Sequence, residues 1–250
     1  MLSDLPRPII FAHRGASALA PENTLASFRL ALSECADAVE LDAKLSADGE
    51  VVVIHDPIVD RTTDGHGRVS QMKLTGLRSL DAGSFFSDKF RGEKIPLLSE
   101  VFETVGRKIF INVELTNYAA PHDHLVEKVC ALVKQHALEG NVLFSSFLAS
   151  NLTKAAHLLP EVPRGLLALN GWMGAWPRSF GFTFGDYAAL HPYVTDVNPQ
   201  QIQRVHRLKR RIHVWTVNNP EDIVRLHAWG VDGIFTDDPK LALQKVGRQA

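Results

Sequence analysis

The chain has 250 residues, of which 45% are hydrophobic and 22% charged, and its formal net charge is −1. These proportions are those of globular proteins, so we expect a sizeable buried core and no extended disorder. The near-zero charge argues against a nucleic-acid-binding protein with a broad basic surface, although it leaves room for a local cluster of cations. The length fits two small domains of about 150 residues or fewer, or one α/β barrel of about 250.

Cysteine usage and the N-terminal residues predict a reducing, cytoplasmic setting. Cys35 and Cys130 lie far apart, in no metal-ligand spacing, and both fall in predicted helices. We therefore expect buried thiols rather than a disulfide. No run approaches the about 18 apolar residues of a membrane span, and the first residues lack the layout of a signal peptide.

Short apolar runs alternate with helical stretches along the chain, which predicts a parallel sheet with right-handed crossovers. Several runs are apolar on both faces, as expected of strands covered by helices on one side and a core on the other. The predicted strands are Ile9–His13, Ala38–Asp42, Val51–His55, Phe110–Leu115, Val142–Ser146, Gly165–Leu169, Val194–Asn198, His213–Val217 and Gly233–Thr236. Predicted helices with apolar residues at helical spacing are Asn23–Cys35, His124–His136 and Glu221–Trp229.

One of these runs is surplus to an eight-stranded barrel. Only eight residues separate Asp42 from Val51, too few for a crossover helix, and Asp48-Gly49 is a hairpin turn signal. The third run is therefore predicted to return antiparallel as an arm, and the other eight to form a (β/α)₈ TIM barrel. Residues 57–96, rich in Gly, Asp, Thr and Ser, are predicted to be an insertion over the barrel mouth, and residues 1–250 a single barrel domain.

Three carboxylates stand where strands of the predicted barrel end. Glu40 and Asp42 are two residues apart and share one face of their strand, and Glu114 ends a later strand. Active sites of TIM barrels lie at this C-terminal rim. Three carboxylates in one mouth repel each other unless a cation lies between them, and oxygen ligands favour Mg²⁺, Ca²⁺ or Mn²⁺ over zinc.

Two histidines and an arginine end neighbouring strands. His13 and His55 each follow an apolar run, and Arg14 comes directly after His13. Beside a metal, two histidines can serve as general base and general acid, and the planar guanidinium of Arg14 fits phosphate oxygens. The combination predicts metal-assisted cleavage of a phosphate ester.

The order of these motifs along nearly the whole chain resembles the glycerophosphodiester phosphodiesterase family. The motifs that carry the resemblance are Ala12-His13-Arg14-Gly15, Pro21-Glu22-Asn23-Thr24, Val39-Glu40-Leu41-Asp42, Asp48-Gly49, His55-Asp56, Asn112-Val113-Glu114, Trp215-Thr216-Val217-Asn218 and Gly230 through Asp237.

The resemblance implies a TIM barrel that hydrolyses a small-molecule glycerophosphodiester to sn-glycerol 3-phosphate and an alcohol with one divalent cation. It makes His13 and His55 the acid/base pair and Arg14 a phosphate contact, and it gives the insertion a role on the glycerol side. The metal ligands it implies are Glu40, Asp42 and Glu114. Attack by the glycerol 2-hydroxyl through a cyclic phosphate and direct attack by water both remain open.

One position departs from the family pattern, which usually has a lysine two residues after the third carboxylate. This chain has Thr116 there. Lys44, on the same face as Asp42, is one candidate for the missing cation, and a neutral hydrogen bond from Thr116 is the other. Trp215 is predicted near the mouth, in contact with glycerol or in barrel packing.

Two other functions fit some of the same residues. Another phospholipase C-like phosphodiesterase acting on a lipid-derived phosphodiester, or a non-catalytic barrel that binds glycerophosphodiesters, would carry some of the same residues. The aromatic segment from Trp172 to Phe182 is predicted at the mouth as a lid or leaving-group pocket, as packing, or as a contact in a homo-oligomer. Asp237 and Asp238 are predicted to cap the last helix.

Overall fold

Strands and helices alternate along the chain in the computed structural model, which describes residues 1–248. The strands are β1 (Ile9–Ala12), β2 (Ala38–Leu45), β3 (Val51–Val53), β4 (Phe110–Leu115), β5 (Val142–Ser146), β6 (Arg164–Ala168), β7 (Ala189–Pro192), β8 (Arg211–Val214) and β9 (Gly233–Thr236). The α-helices are α1 (Leu25–Ser33), α2 (Leu74–Ser79), α3 (Leu98–Val105), α4 (Leu125–Gln135), α5 (Ala149–Leu158), α6 (Phe182–Phe184), α7 (Pro199–Arg207), α8 (Pro220–Trp229) and α9 (Pro239–Lys245).

Within this described part of the chain, eight parallel strands close into a barrel. The sheet order is β1-β9-β8-β7-β6-β5-β4-β2-β3, and a further pairing of β1 with β2 closes the ring. β3 pairs antiparallel with β2 and lies outside the ring, after a turn in which Gly49 has a φ of +80°. The predicted TIM barrel and its hairpin arm are confirmed.

The register between β2 and β4 positions the rim residues. Glu40 pairs with Asn112, and Asp42 pairs with Glu114. Because side chains alternate along a strand, the intervening Leu41 points outward, into the core between strands and helices. The acidic side chains therefore point into the barrel.

Two buried histidines lie in the barrel interior beside the rings of Phe11 and Phe235. His191 on β7 and His213 on β8 are both 0% exposed, and Nδ1 of His213 lies 3.1 Å from Nε2 of His191. A side chain at Gly165 would reach within 2.3 Å of the His191 ring, so the missing side chain makes room for this imidazole. Burial lowers the pKa of His191 to about 3, and burial together with His191 lowers that of His213.

The prediction of a strand at Val194–Asn198 is wrong. The strand is Ala189–Pro192, and Val194–Asp196 forms a short 3-10 helix. His191 and Pro192 interrupt the apolar pattern of β7, so the sequence does not indicate a strand there. The buried His191 has its hydrogen-bond partner, His213, on the neighbouring strand β8.

Residues 57–96 lie beside the hairpin arm around a small apolar cluster of their own. The cluster contains Val52, Ile54, Val59, Val69, Leu77, Ala82 and Ile95. The ion pair of Arg78 with Glu100 on α3 attaches this insertion to the barrel. A single domain over the whole chain stays a prediction.

Both cysteines are free, as predicted, but only Cys130 is buried and Cys35 is exposed, so the prediction of two buried thiols is half wrong. None of the helices within residues 1–248 has the length and apolar character that a bilayer crossing needs.

Candidate active site

The three rim carboxylates converge on one point inside the mouth. One oxygen from each of Glu40, Asp42 and Glu114 lies within 4.8 Å of the others. Burial, together with Asp42 and Glu114, raises the pKa of Glu40 well above its ordinary value, and burial and Asp42 raise that of Glu114 to about 8. Burial also acts to raise the pKa of Asp42, but nearby cations, first Arg14, hold it below its ordinary value.

The chemistry of this cluster fits a hard cation. All of its donors are oxygens, which suits Mg²⁺, Ca²⁺ or Mn²⁺. Asn112, which pairs with Glu40 and lies on β4 two residues before Glu114, donates through Nδ2 to Ser145, while its buried Oδ1 has no hydrogen-bond partner among the described residues. This amide oxygen lines the same cavity as Glu40 and Glu114.

His13 is held by an aspartate from the other end of the chain. It follows β1, and its Nδ1 lies 2.7 Å from Oδ1 of Asp237, which follows the neighbouring β9. Ser17 and Asn218 donate hydrogen bonds to the same carboxylate. Burial acts to raise the pKa of Asp237, but these hydrogen bonds, first that from His13, lower it. Asp237 therefore fixes Nδ1 of His13 as the protonated ring nitrogen and leaves Nε2 with a lone pair.

His55 has a similar partner next to it in the chain. Its Nδ1 lies 2.6 Å from Oδ1 of Asp56, and Arg61 donates to both oxygens of that carboxylate. Burial acts to raise the pKa of Asp56, but the hydrogen bonds with Arg61 and His55 lower it to about 2. Arg61 also donates two hydrogen bonds to Glu22. One guanidinium in the insertion thus connects the His55–Asp56 pair to the barrel.

Arg14 lies between acidic groups at the bottom of the mouth. Its backbone N–H donates to Glu40, and its Nη1 donates to Glu22 at 2.9 Å. Its Nε lies 3.4 Å from Asp42. The side chain also lines the cavity with the histidines, so it can present the rest of its fork to an anion there.

The β1–α1 turn that carries these groups has an unusual backbone. Arg14 and Asn23 each have a φ of +57°, and Gly15 has a φ of +82°. A side chain at Gly15 would lie 2.3 Å from Oγ of Ser27, so glycine is required here by both conformation and space. Asn23 uses its position to donate to the Asp42 carboxylate at 2.8 Å.

A cavity of about 260 Å³ brings most of the predicted site residues together. One wall is polar and the opposite wall is apolar. The lining residues are His13, Arg14, Glu40, His55, Asn112, Glu114, Phe147, Leu167, Leu169, Trp215 and Phe235. Trp215 packs edge-on against Phe147 and donates through Nε1 to the His191 carbonyl oxygen, which fixes its ring in the apolar wall.

Lys44 and Thr116 meet each other outside that cavity. The ammonium of Lys44 donates to the carbonyl oxygen of Thr116 at 3.0 Å and to its hydroxyl at 2.8 Å. Both residues line a separate cavity of about 300 Å³. Burial lowers the pKa of Lys44, and the negative charges of Asp42 and Glu114 oppose that effect. The ammonium group of Lys44 on β2 therefore lies against Thr116, the position where the family usually has a lysine.

Sequence reasoning missed three residues of this site. Asp237 was predicted to cap the last helix, whereas Asp238 alone accepts from the helix backbone, at Leu241, and Asp237 holds His13. Asp237 directly follows a strand, the same signal that singled out His13. Arg61 and Asn23 had no such signal, because neither ends a strand.

The fold and the residues at the barrel rim define a TIM-barrel enzyme. Its mouth combines a cluster of three carboxylates with two histidines that each contact an aspartate. A profile of the Glycerophosphoryl diester phosphodiesterase family matches residues 13–241. The chain belongs to this family, as the sequence motifs indicated, and is a phosphoric diester hydrolase.

Relatives and solved structures agree. A glycerophosphodiester phosphodiesterase of Caldanaerobacter subterraneus subsp. tengcongensis is 37% identical over 96% of this chain and 98% of its own. A phosphodiesterase of Oleispira antarctica, solved in complex with the product sn-glycerol-3-phosphate, is 33% identical with a TM-score of 0.88, covering 98% of both chains. A glycerophosphodiester phosphodiesterase from Agrobacterium tumefaciens str. C58 is 30% identical with a TM-score of 0.81, covering 94% of this chain and 98% of that one.

Proposed function

We propose that this enzyme hydrolyses glycerophosphodiesters to sn-glycerol 3-phosphate and an alcohol, using a divalent cation and two histidines. The observation that carries the proposal is the meeting of two aspartate-held histidines and a three-carboxylate cluster at one cavity. The product in the Oleispira antarctica structure supports the glycerol phosphate half of the substrate.

Glu40, Asp42 and Glu114 are the proposed ligands of the cation, with the free amide oxygen of Asn112 beside them. When bound, a divalent cation supplies positive charge that offsets the carboxylates and polarises a phosphoryl oxygen. Asn23 holds Asp42 in place by donating to its carboxylate.

His13 and His55 are the proposed proton carriers. Each holds its Nδ1 proton against an aspartate, so each offers Nε2 to the substrate. One begins neutral and takes the proton of the attacking hydroxyl on Nε2. The other begins as the imidazolium and gives its Nε2 proton to the leaving alkoxide, and each effect is worth about 10²–10⁴ in rate. The negative charge of Asp237 or Asp56 stabilises the imidazolium formed.

Substrate contacts are proposed on both sides of the phosphate. Arg14 binds phosphate oxygens, and Lys44, held at Thr116, adds positive charge close to Asp42 and Glu114. Trp215 in the apolar wall packs against the carbon atoms of glycerol. The insertion reaches the site through Arg61, which donates to Asp56 and Glu22.

The test is release of glycerol 3-phosphate from glycerophosphocholine. We expect activity to vanish in chelator, to return with Mg²⁺, Ca²⁺ or Mn²⁺, and to fall by about 10²–10⁴ in each of His13→Ala and His55→Ala. His227→Ala, at an exposed histidine of α8, is the matched control. Activity that survived both chelator and His13→Ala would overturn the mechanism.

The same assay under rapid quench separates the two modes of attack. A cyclic glycerophosphate that forms and decays during turnover indicates attack by the glycerol 2-hydroxyl. Its absence at every quench time, with product formed at the same rate, indicates direct attack by water.

A further inference from the structure

An exposed row of aromatic side chains follows β6 at the barrel mouth. The chain is helical from Gly171 to Phe184, as a 3-10 turn, a π-helical turn and α6. Its four aromatic residues at spacing four are 86%, 59%, 70% and 81% exposed, in chain order. They are Trp172, Trp176, Phe180 and Phe184, called here the aromatic stripe. Phe180 and Phe184 stack with their ring centroids 6.3 Å apart, and the Trp176 ring packs over Gly181, where a Cβ would lie 2.6 Å from it.

The opposite face of this helical segment is firmly attached to the barrel. Phe182 is 1% exposed and stacks on Tyr187, with the Arg210 guanidinium 5.1 Å from its ring centroid. Arg178 donates to the Leu169 carbonyl oxygen and pairs with Asp196 at 2.9 Å. The segment therefore presents its aromatic stripe to solvent in a fixed orientation, and contiguous apolar surface of this kind marks an interaction site.

Positive charge borders the aromatic stripe. Arg204 on α7 donates a hydrogen bond to the Arg178 carbonyl oxygen, and Arg204 and Arg207 line an open cavity of about 810 Å³ beside Ala175 and Ser179 of the segment. From residue 197 to residue 220 the sequence has no aspartate or glutamate, although the net charge of the chain is −1. The matching partner is therefore apolar at its centre and anionic at its edge.

The aromatic stripe also comes directly after residues of the catalytic cavity in the chain. Leu167 and Leu169, at the end of β6, line that cavity, and Leu169 is 41% exposed just before the stripe begins. A flat partner covering the stripe would lie next to the barrel mouth.

We propose that the aromatic stripe, with Arg204 and Arg207, docks the barrel mouth onto an anionic lipid bilayer. Exposed Trp and Phe side chains insert at the headgroup level, and flanking arginines attract anionic headgroups. This docking goes beyond the hydrolytic function and does not depend on it.

Two sets of variants test the docking by sedimentation with vesicles of phosphatidylcholine, with or without phosphatidylglycerol. Wild type should bind the phosphatidylglycerol vesicles, more weakly at high salt. The double variant Arg204→Gln/Arg207→Gln should lose binding about tenfold or more, at about 1 kcal/mol for each cation near the surface. The triple variant Trp172→Ser/Phe180→Ser/Phe184→Ser should lose it at least as strongly.

Matched controls are Arg29→Gln on α1 and Val224→Ser on α8, both exposed, which should bind like wild type. All variants should hydrolyse glycerophosphocholine at the wild-type rate in the absence of lipid, which shows that they fold and keeps this test separate from that of the proposed function. Brominated phosphatidylglycerol should quench tryptophan fluorescence in wild type but not in Trp172→Phe/Trp176→Phe.

Any one of three results would overturn the proposal. The first two are the absence of wild-type binding to phosphatidylglycerol vesicles and equal binding by the stripe variants. The third is a wild-type dimer in gel filtration that the triple variant converts to a monomer without any vesicle binding, which assigns the stripe to a second copy of the chain.

Discussion

The buried pair of His191 and His213 should make the barrel sensitive to acid. In the unfolded chain a histidine titrates near 6.5, whereas burial holds the pKa of His191 to about 3 in the folded protein. Below pH 6.5 the unfolded state therefore binds a proton at His191 that the folded state does not bind. The contribution of neutral His191 to the free energy of unfolding is fully present above pH 6.5 and is lost as the pH falls toward 3.

The size of this loss follows from the two pKa values. For His191 alone, the loss relative to neutral pH is about 2 kcal/mol at pH 5. A further pH unit costs about 1.4 kcal/mol more until pH 3 is approached. His213, whose pKa is also lowered, adds to this loss.

The measurement is urea unfolding at pH 7.5 and pH 5, in chelator so that cation binding does not contribute. Between these pH values His191→Gln should lose about 2 kcal/mol less than wild type. The double variant with His213→Gln should lose still less, whereas His227→Gln, at an exposed position, should match wild type. Carboxylates contribute equally to all of these proteins and cancel in the comparison. If wild type and the double variant lose the same free energy, the buried imidazoles are not the cause and the reasoning fails.

Four further predictions concern the mouth. Asp237→Asn, which cannot hold the Nδ1 proton of His13 in the same way, should lower kcat by about 10²–10⁴ with little change in Tm, and an unchanged kcat would show that Asp237 does not orient His13. Arg61→Met should lower kcat about tenfold and shift its pH profile, because the Asp56 carboxylate loses a charged hydrogen-bond donor, and Arg61→Lys should restore part of both. Lys44→Ala should lower kcat/KM about tenfold or more through loss of positive charge near Asp42 and Glu114, and unchanged kinetics would remove Lys44 from the site. Gly15→Ala should destabilise the protein by about 2 kcal/mol or more in urea unfolding, whereas Gly140→Ala, where a side chain meets nothing within 4 Å, should be neutral or slightly stabilising.

The sequence was sufficient for the features that depend on local periodicity. Alternation along β2 placed Glu40 and Asp42 on one face, and the short span to Val51 required a hairpin rather than a helix, as the structure has it. These predictions needed only neighbouring residues and the period of a strand.

Features that depend on barrel closure were not predictable in this way. Asp237 reaches His13 across 224 residues of sequence because β1 and β9 pair at the seam of the barrel. The strand that contains His191 could not be predicted for a similar reason. A histidine is recognised as a core residue only when its buried partner is known, and that partner, His213, lies on β8. No local pattern carries these pairings.

The hydrogen bonds of the Arg61 guanidinium determine how the mouth responds to amino-acid substitutions. It is a shared counter-charge for Glu22 and Asp56, and Glu22 in turn is shared with Arg14. Losses measured for single substitutions at these positions will therefore overlap, because each removes part of the same network. The four residues act as one energetic unit that spans insertion and barrel, and the free energy of that unit cannot be divided among its members by changing them one at a time.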